Sequence, residues 1–80
     1  MKQDKYILAI DHGTSGMKVS IISVHGQVVA SDFEKTPIHF LPGGGAEQDP
    51  EDWWNALRAA SRRLVGKGMV PADSIEAVCV

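Results

Sequence analysis

A carboxylate, two hydroxyls and a cation follow one another closely in Asp11-His12-Gly13-Thr14-Ser15-Gly16-Met17-Lys18. The run Tyr6–Ile10 before it is apolar, and a run rich in β-branched residues begins at Val19. A strand that empties into a carboxylate, a small-residue turn and a cation reads as a phosphate site. Gly13 and Gly16 lack a Cβ, so the backbone there is free to take positive φ and to bring N–H groups close to an anion. Thr14 and Ser15 add hydroxyl donors, and Lys18 supplies positive charge. Asp11 can hold Mg²⁺ directly or through its water shell, because magnesium prefers oxygen ligands and keeps several waters. Phosphoryl transfer needs mainly positioning and charge neutralisation, and these residue types provide both.

Read without a ligand, the same turn is a hairpin flanked by solvated Asp11 and Lys18, and short glycine motifs leave both readings open. Other phosphate loops fit worse. The pattern G-x-x-x-x-G-K-[ST] fails because Lys18 does not follow a glycine and Val19 carries no hydroxyl. G-x-G-x-x-G fails too, and the strand-like run after the turn points no helix dipole at a ligand.

The elements that must position these groups follow from patterning. Tyr6–Ile10 is nearly continuous in apolar character, as in an interior strand covered on both faces. Val19–Val24 continues as a second strand, and His25-Gly26 turns it into a third from Gln27 to about Lys35, completing a β-meander. Over Thr36–Ala46, Pro37, Pro42 and Gly43-Gly44-Gly45 predict that regular structure stops and a mobile connector intervenes. Asp49-Pro50-Glu51-Asp52 announces a helix, with Asp49 as N-cap, Pro50 at the first helical position and acids in the first turn. Trp53, Leu57, Ala60 and Leu64 give it one apolar stripe, and Gly66 is the expected C-cap. Arg58, Arg62 and Arg63 read as a solvated face that complements the helix dipole. Trp53 and Trp54 diverge by about 100° on a helix, so one faces the core and the other a domain surface or ligand. Pro71–Ser74 is a turn or helical stub, and Ile75–Val80 a further strand. The end of the chain inside that strand, with one helix for the whole sheet, suggests the N-terminal piece of something larger.

The chain has 80 residues and a formal charge of −2 with both signs interspersed, which argues against a nucleic-acid footprint or a basic membrane patch. Cys79 is the single cysteine. No intrachain disulfide is available, so a reducing, cytoplasmic compartment is expected, with Cys79 buried in its strand. No signal peptide or membrane-spanning run is visible. His12 and His39 have no partner at metal-ligand spacing, and His25 reads as a turn residue.

Three segments resemble the FGGY carbohydrate kinases, relatives of actin, hexokinase and the heat-shock chaperones in the ribonuclease-H-like ATPase superfamily: Ile10–Lys18 (IDHGTSGMK), Val24–Val29 (VHGQVV) and Gly45–Trp54 (GAEQDPEDWW). The third is the most discriminating. Lys18 and the Gly-Thr-Ser-Gly turn are more similar to xylulokinase than to glycerol kinase. The resemblance implies an α/β fold with a mixed sheet of order 3-2-1-4-5, of which residues 1–80 supply three antiparallel strands, a helix and a fourth, parallel strand. The rest of that domain and a C-terminal domain would lie outside this chain. It also implies ATP and Mg²⁺ as cofactors, with Asp11 near the metal. Gly13, Thr14, Ser15, Gly16 and Lys18 would lie at the phosphates. The acceptor would be a sugar or polyol, a ketopentose such as xylulose above all, with a homodimer left open. No catalytic residue falls within these residues, since the family's general base lies far downstream, and the isolated chain is expected to be inactive. A non-catalytic nucleotide-binding or regulatory module is the alternative from another class, and a plain structural meander with an incidental turn is the third.

Overall fold

The computed structural model describes residues 4–80. Strands β1 (Tyr6–His12), β2 (Gly16–Ser23) and β3 (Val28–Lys35) form the meander, followed by the short pair β4 (His39–Phe40) and β5 (Ala46–Glu47). Helix α1 (Pro50–Gly66), a 3₁₀ turn (Ala72–Ser74) and strand β6 (Ile75–Cys79) complete the chain. The main sheet has the order β3-β2-β1-β6. Its first three strands are antiparallel, and β6 runs parallel to β1. This is the mixed arrangement the resemblance implies, as far as the chain extends.

Strand alternation decides which residues meet the helix. Leu8 and Ile10 of β1 and Met17, Val19 and Ile21 of β2 are buried together with Ala56, Ala60 and Leu64 of α1 and with Val70. Each of these Leu, Ile, Val and Met side chains removed from water contributes about 1.5–3 kcal/mol, so this single layer carries most of the fold. Ala56 belongs to the buried stripe, whereas Trp53 and Leu57 lie half-buried at its margin. Small Ala56 and Ala60 let the helix approach the sheet closely. The opposite face, with Ile7, Ala9 and Ile22, is only half-buried. Among the described residues one helix covers one face of β1.

The helix begins as its sequence announces. The Asp49 carboxylate accepts from the Glu51 N–H at 3.0 Å, and Pro50 occupies the first turn. Its C-cap lies one residue later than expected. Gly66 is still helical, Lys67 caps, and Gly68, at φ +67°, takes the left-handed position and donates to Val65 O at 3.1 Å. Arg63 is not a freely solvated cation either. Its Nε and Nη2 grip the two Asp32 oxygens at 3.1 Å each, Nη1 donates to Glu34 Oε1 at 2.6 Å, and Nη2 also reaches Phe33 O at 3.2 Å. Asp32 and Glu34 alternate onto the helix face of β3, so this fork ties the sheet edge to the last turns of α1.

Thr36–Ala46 also departs from expectation, because regular structure resumes there. Leu41 N–H donates to Gly45 O at 2.7 Å, and Gly43 and Gly44, at φ +89° and +94°, supply the left-handed pair that closes the β4–β5 hairpin. Glycine reaches those angles without a Cβ clash, so the triplet makes a turn. Cys79, expected to be buried, is exposed among the described residues, where β6 has no strand beyond it.

Candidate functional site

Asp11 and Lys18 are direct cross-strand partners of β1 and β2. Both alternate onto the face away from α1, since their neighbours Ile10, His12 and Met17 turn toward the helix. Both are exposed and make no ion pair with each other, so each charge is available to a third group. Gly13-Thr14-Ser15 closes the hairpin at this end, with Gly13 N–H donating to Gly16 O at 2.9 Å. The residues singled out in the sequence thus gather at one corner of the sheet: Asp11 and Lys18 on its open face, Thr14 and Ser15 in the exposed turn.

The glycines act differently from what was expected. Neither Gly13 nor Gly16 has positive φ; among the described residues that conformation belongs to Gly26, Gly43, Gly44 and Gly68. Gly16 is needed for packing. A Cβ there would run into the Glu34 carbonyl oxygen and the Phe33 ring of β3. At Gly13 a Cβ would meet Gly16 O at 3.3 Å, a tight contact rather than an impossible one.

The backbone of the turn is oriented from outside. Gln48 Nε2 donates to Thr14 O at 2.8 Å and comes within 3.4 Å of Thr36 Oγ1 and of Pro37 O. Thr36 N–H donates to Ser15 O at 3.1 Å. The two central carbonyls of the turn are therefore satisfied, whereas the Thr14 and Ser15 N–H groups donate to no other described residue. Two unengaged N–H groups beside two hydroxyls and a lysine form a set of donors suited to phosphate oxygens.

Beneath the hairpin, Trp53 meets His12 edge to face, with ring centroids 4.6 Å apart and planes at 68°. Its neighbour Trp54 is 55% exposed, so the two tryptophans divide as the helical geometry requires. Trp53 also closes one side of an open cleft of about 440 Å³ that Thr14, Phe40, Glu47 and Gln48 help to line. The indole Nε1 is buried without a hydrogen-bond partner. His39 Nε2 lies 3.2 Å from Asp52 Oδ2, which attaches β4 to the first turn of α1. None of these contacts is encoded in the local sequence pattern.

Among the described residues no three His, Cys, Asp or Glu side chains gather into a metal cage. A single exposed carboxylate is a poor site for zinc or calcium. It does fit a hard cation that keeps its waters and takes its remaining oxygens from phosphates, as magnesium does. Among the described residues no helix is long and apolar enough to cross a membrane.

Comparison with known proteins identifies the family. Residues 6–80 match the family described as "FGGY family of carbohydrate kinases, N-terminal domain". A glycerol kinase of Ralstonia pickettii is 35% identical over 74 residues, which is 92% of this chain and 15% of that protein. The xylulose kinase of Bacillus subtilis is 34% identical over 74 residues, again 92% and 15%. The xylulose kinase of Escherichia coli is 42% identical over 57 residues, 71% of this chain and 12% of that protein. The chain thus spans about 15% of the length of the curated relatives it matches along most of its own length. It belongs to the FGGY family of carbohydrate kinases, matching the N-terminal domain of that family.

Proposed function

We propose that this chain supplies the first phosphate- and magnesium-binding turn of an ATP-dependent kinase that transfers a phosphoryl group to a hydroxyl of a sugar or polyol. Residues 1–80 are the opening part of the N-terminal domain in this reading, the fold is ribonuclease-H-like, and the catalytic base lies outside them. The observation that carries the reading is the corner where Asp11, Lys18 and the unengaged Thr14 and Ser15 N–H groups meet. Thr14, Ser15 and Lys18 bind and orient the terminal phosphates of ATP, with Gly13 and Gly16 allowing the turn to pack tightly, and Asp11 holds a magnesium ion through oxygen. Magnesium, when bound, neutralises charge on the phosphate oxygens.

A ketopentose such as xylulose is the leading acceptor, and the Gly-Thr-Ser-Gly turn with Lys18 is the feature that favours it. Relatives named glycerol kinase and xylulose kinase match at similar identity, so the acceptor is a matter for assay. A coupled ADP-release assay on the intact gene product with Mg-ATP, run against xylulose, ribulose, glycerol and gluconate, tests the reading. Strong turnover with one acceptor names the substrate. Silence across the panel with ATP still bound replaces the kinase with a nucleotide-binding module.

A further inference from the structure

Two carbonyls of the phosphate turn are tied down while the N–H groups beside them are not, and one side chain far away in sequence makes the shorter tie. Gln48 Nε2 donates to Thr14 O at 2.8 Å across thirty-four positions of sequence. We infer that Gln48 is a positioning residue, which holds the Thr14–Ser15 peptide so that its N–H faces the nucleotide's phosphates.

The argument rests on peptide geometry. A trans peptide is planar, and its C=O and N–H point in opposite directions; the described residues contain no cis peptide. Fixing Thr14 O toward Gln48 therefore turns the Ser15 N–H away from the scaffold and toward open solvent, where it has no protein acceptor. A three-residue turn of small side chains does not hold such an orientation by itself. A peptide flip within it would exchange donor for acceptor and present a carbonyl oxygen to an anion.

The anchor on the other side is rigid. Gln48 directly precedes Asp49, whose carboxylate caps α1, so its backbone is set by the first turn of the helix. The same turn carries Trp53, which packs on the ring of His12 at the near end of the hairpin. Thr36 N–H completes the frame by holding Ser15 O. Helix, strand end and aromatic contact thus act on the turn and on the end of β1 beside it, and Gln48 is the side chain that bonds the backbone of the turn itself. Its chemistry is specific. The neutral amide donates to Thr14 O and has Pro37 O within 3.4 Å, whereas a carboxylate would face those two carbonyl oxygens with no proton to offer.

The inference rests on the kinase reading, and its test separates the two. In the intact gene product, initial rates are measured against Mg-ATP and against the acceptor for wild type, Gln48→Leu and Gln48→Glu. Deuterium uptake at Gly13–Gly16 and the melting temperature are measured alongside. Loss of one net hydrogen bond predicts that Gln48→Leu raises the KM for ATP about fivefold to tenfold, with the acceptor KM unchanged. Gln48→Glu should raise it further. Uptake at the hairpin should quicken while the melting temperature stays within about 4 °C of wild type. Parallel rises in both KM values, unchanged exchange in a folded Gln48→Leu protein, or loss of the fold in both variants would each overturn the positioning role. A wild-type protein with no turnover on any acceptor instead overturns the kinase reading, and the exchange data then decide alone whether Gln48 holds the turn.

Discussion

Strand β2 ends in a hairpin turn at each side, and the two turns are built in opposite ways. At the β2–β3 turn the donors are consumed. Ser23 Oγ accepts from the N–H groups of His25 and Gln27, each at 3.2 Å, Gly26 N–H donates to Ser23 O at 2.9 Å, and Ser23 N–H donates to Gln27 O at 2.8 Å. Gly26 supplies the left-handed residue, at φ +88°. At the β1–β2 turn the Thr14 and Ser15 carbonyls are consumed by Gln48 and Thr36, and the Thr14 and Ser15 N–H donors are left over. A turn that only reverses the chain satisfies itself, since each unmade hydrogen bond costs stability when water is excluded. The other turn keeps its donors outward and its carbonyls engaged, the polarity that an anion site needs.

The largest expected effect lies beside the donor-rich turn. Asp11→Ala should lower turnover of the intact gene product on the order of 10²–10³, the range found when one charge-stabilising group is removed from a reacting centre. Its melting temperature should hardly change, because Asp11 is exposed and unpaired among the described residues. Steady-state rates paired with a thermal melt check this, and unchanged turnover would remove Asp11 from the metal site and weaken the contrast between the turns.

The next effects are on stability and separate the two kinds of glycine. Gly16→Ala drives a methyl group into Glu34 O and the Phe33 ring. It should cost about 1–3 kcal/mol as an overpacked site does, measured by urea unfolding. Gly26→Ala meets no neighbour within 4 Å, yet its φ is strained for a residue with a Cβ, and about 1 kcal/mol is expected. Folded Gly26→Ala protein should keep the wild-type KM for ATP. A changed KM there would mean that the two turns are coupled through β2, contrary to the division drawn above.

The meander, the helix with its Asp49-Pro50 start, and the gathering of Asp11, Thr14, Ser15 and Lys18 were legible because they depend on local patterns: strand alternation, capping chemistry and a turn of small residues. What escaped depends on contacts distant in sequence. Gln48 reaches Thr14, Arg63 reaches Asp32 and Glu34, and Trp53 reaches His12, and no periodicity encodes these meetings. Gly13 and Gly16 were read for their conformational freedom, whereas Gly16 serves close packing of β2 on β3, which only the neighbouring strand reveals. The glycine triplet reads as a break in the sequence because its partner segments, β4 and β5, are two residues long each and carry no alternation.

The smallest expected effect lies on the helix side, where Arg63 joins β3 to α1. Its hydrogen bonds hold the Asp32 carboxyl below the usual carboxylate range, and the Phe33 N–H adds to this. Asp32 and Glu34 in turn push the guanidinium up, so Arg63 stays charged at every attainable pH. A carboxylate whose folded pKa is depressed stabilises the fold fully above its unfolded pKa of about 4, and that contribution is lost as pH falls through the lower, folded value. Arg63→Met should therefore lower the melting temperature slightly at neutral pH, and the gap to wild type should narrow as pH falls below about 4. Added salt should shrink the gap as well, because the pair is partly exposed and screened. The KM for ATP should stay constant throughout, since the fork bonds Asp32, Phe33 and Glu34 of β3 and no group of Gly13–Ser15. A gap that persists unchanged into acid would show that Arg63 acts through the packing of its aliphatic stem, and the ion pair would then contribute nothing to holding β3 on the helix.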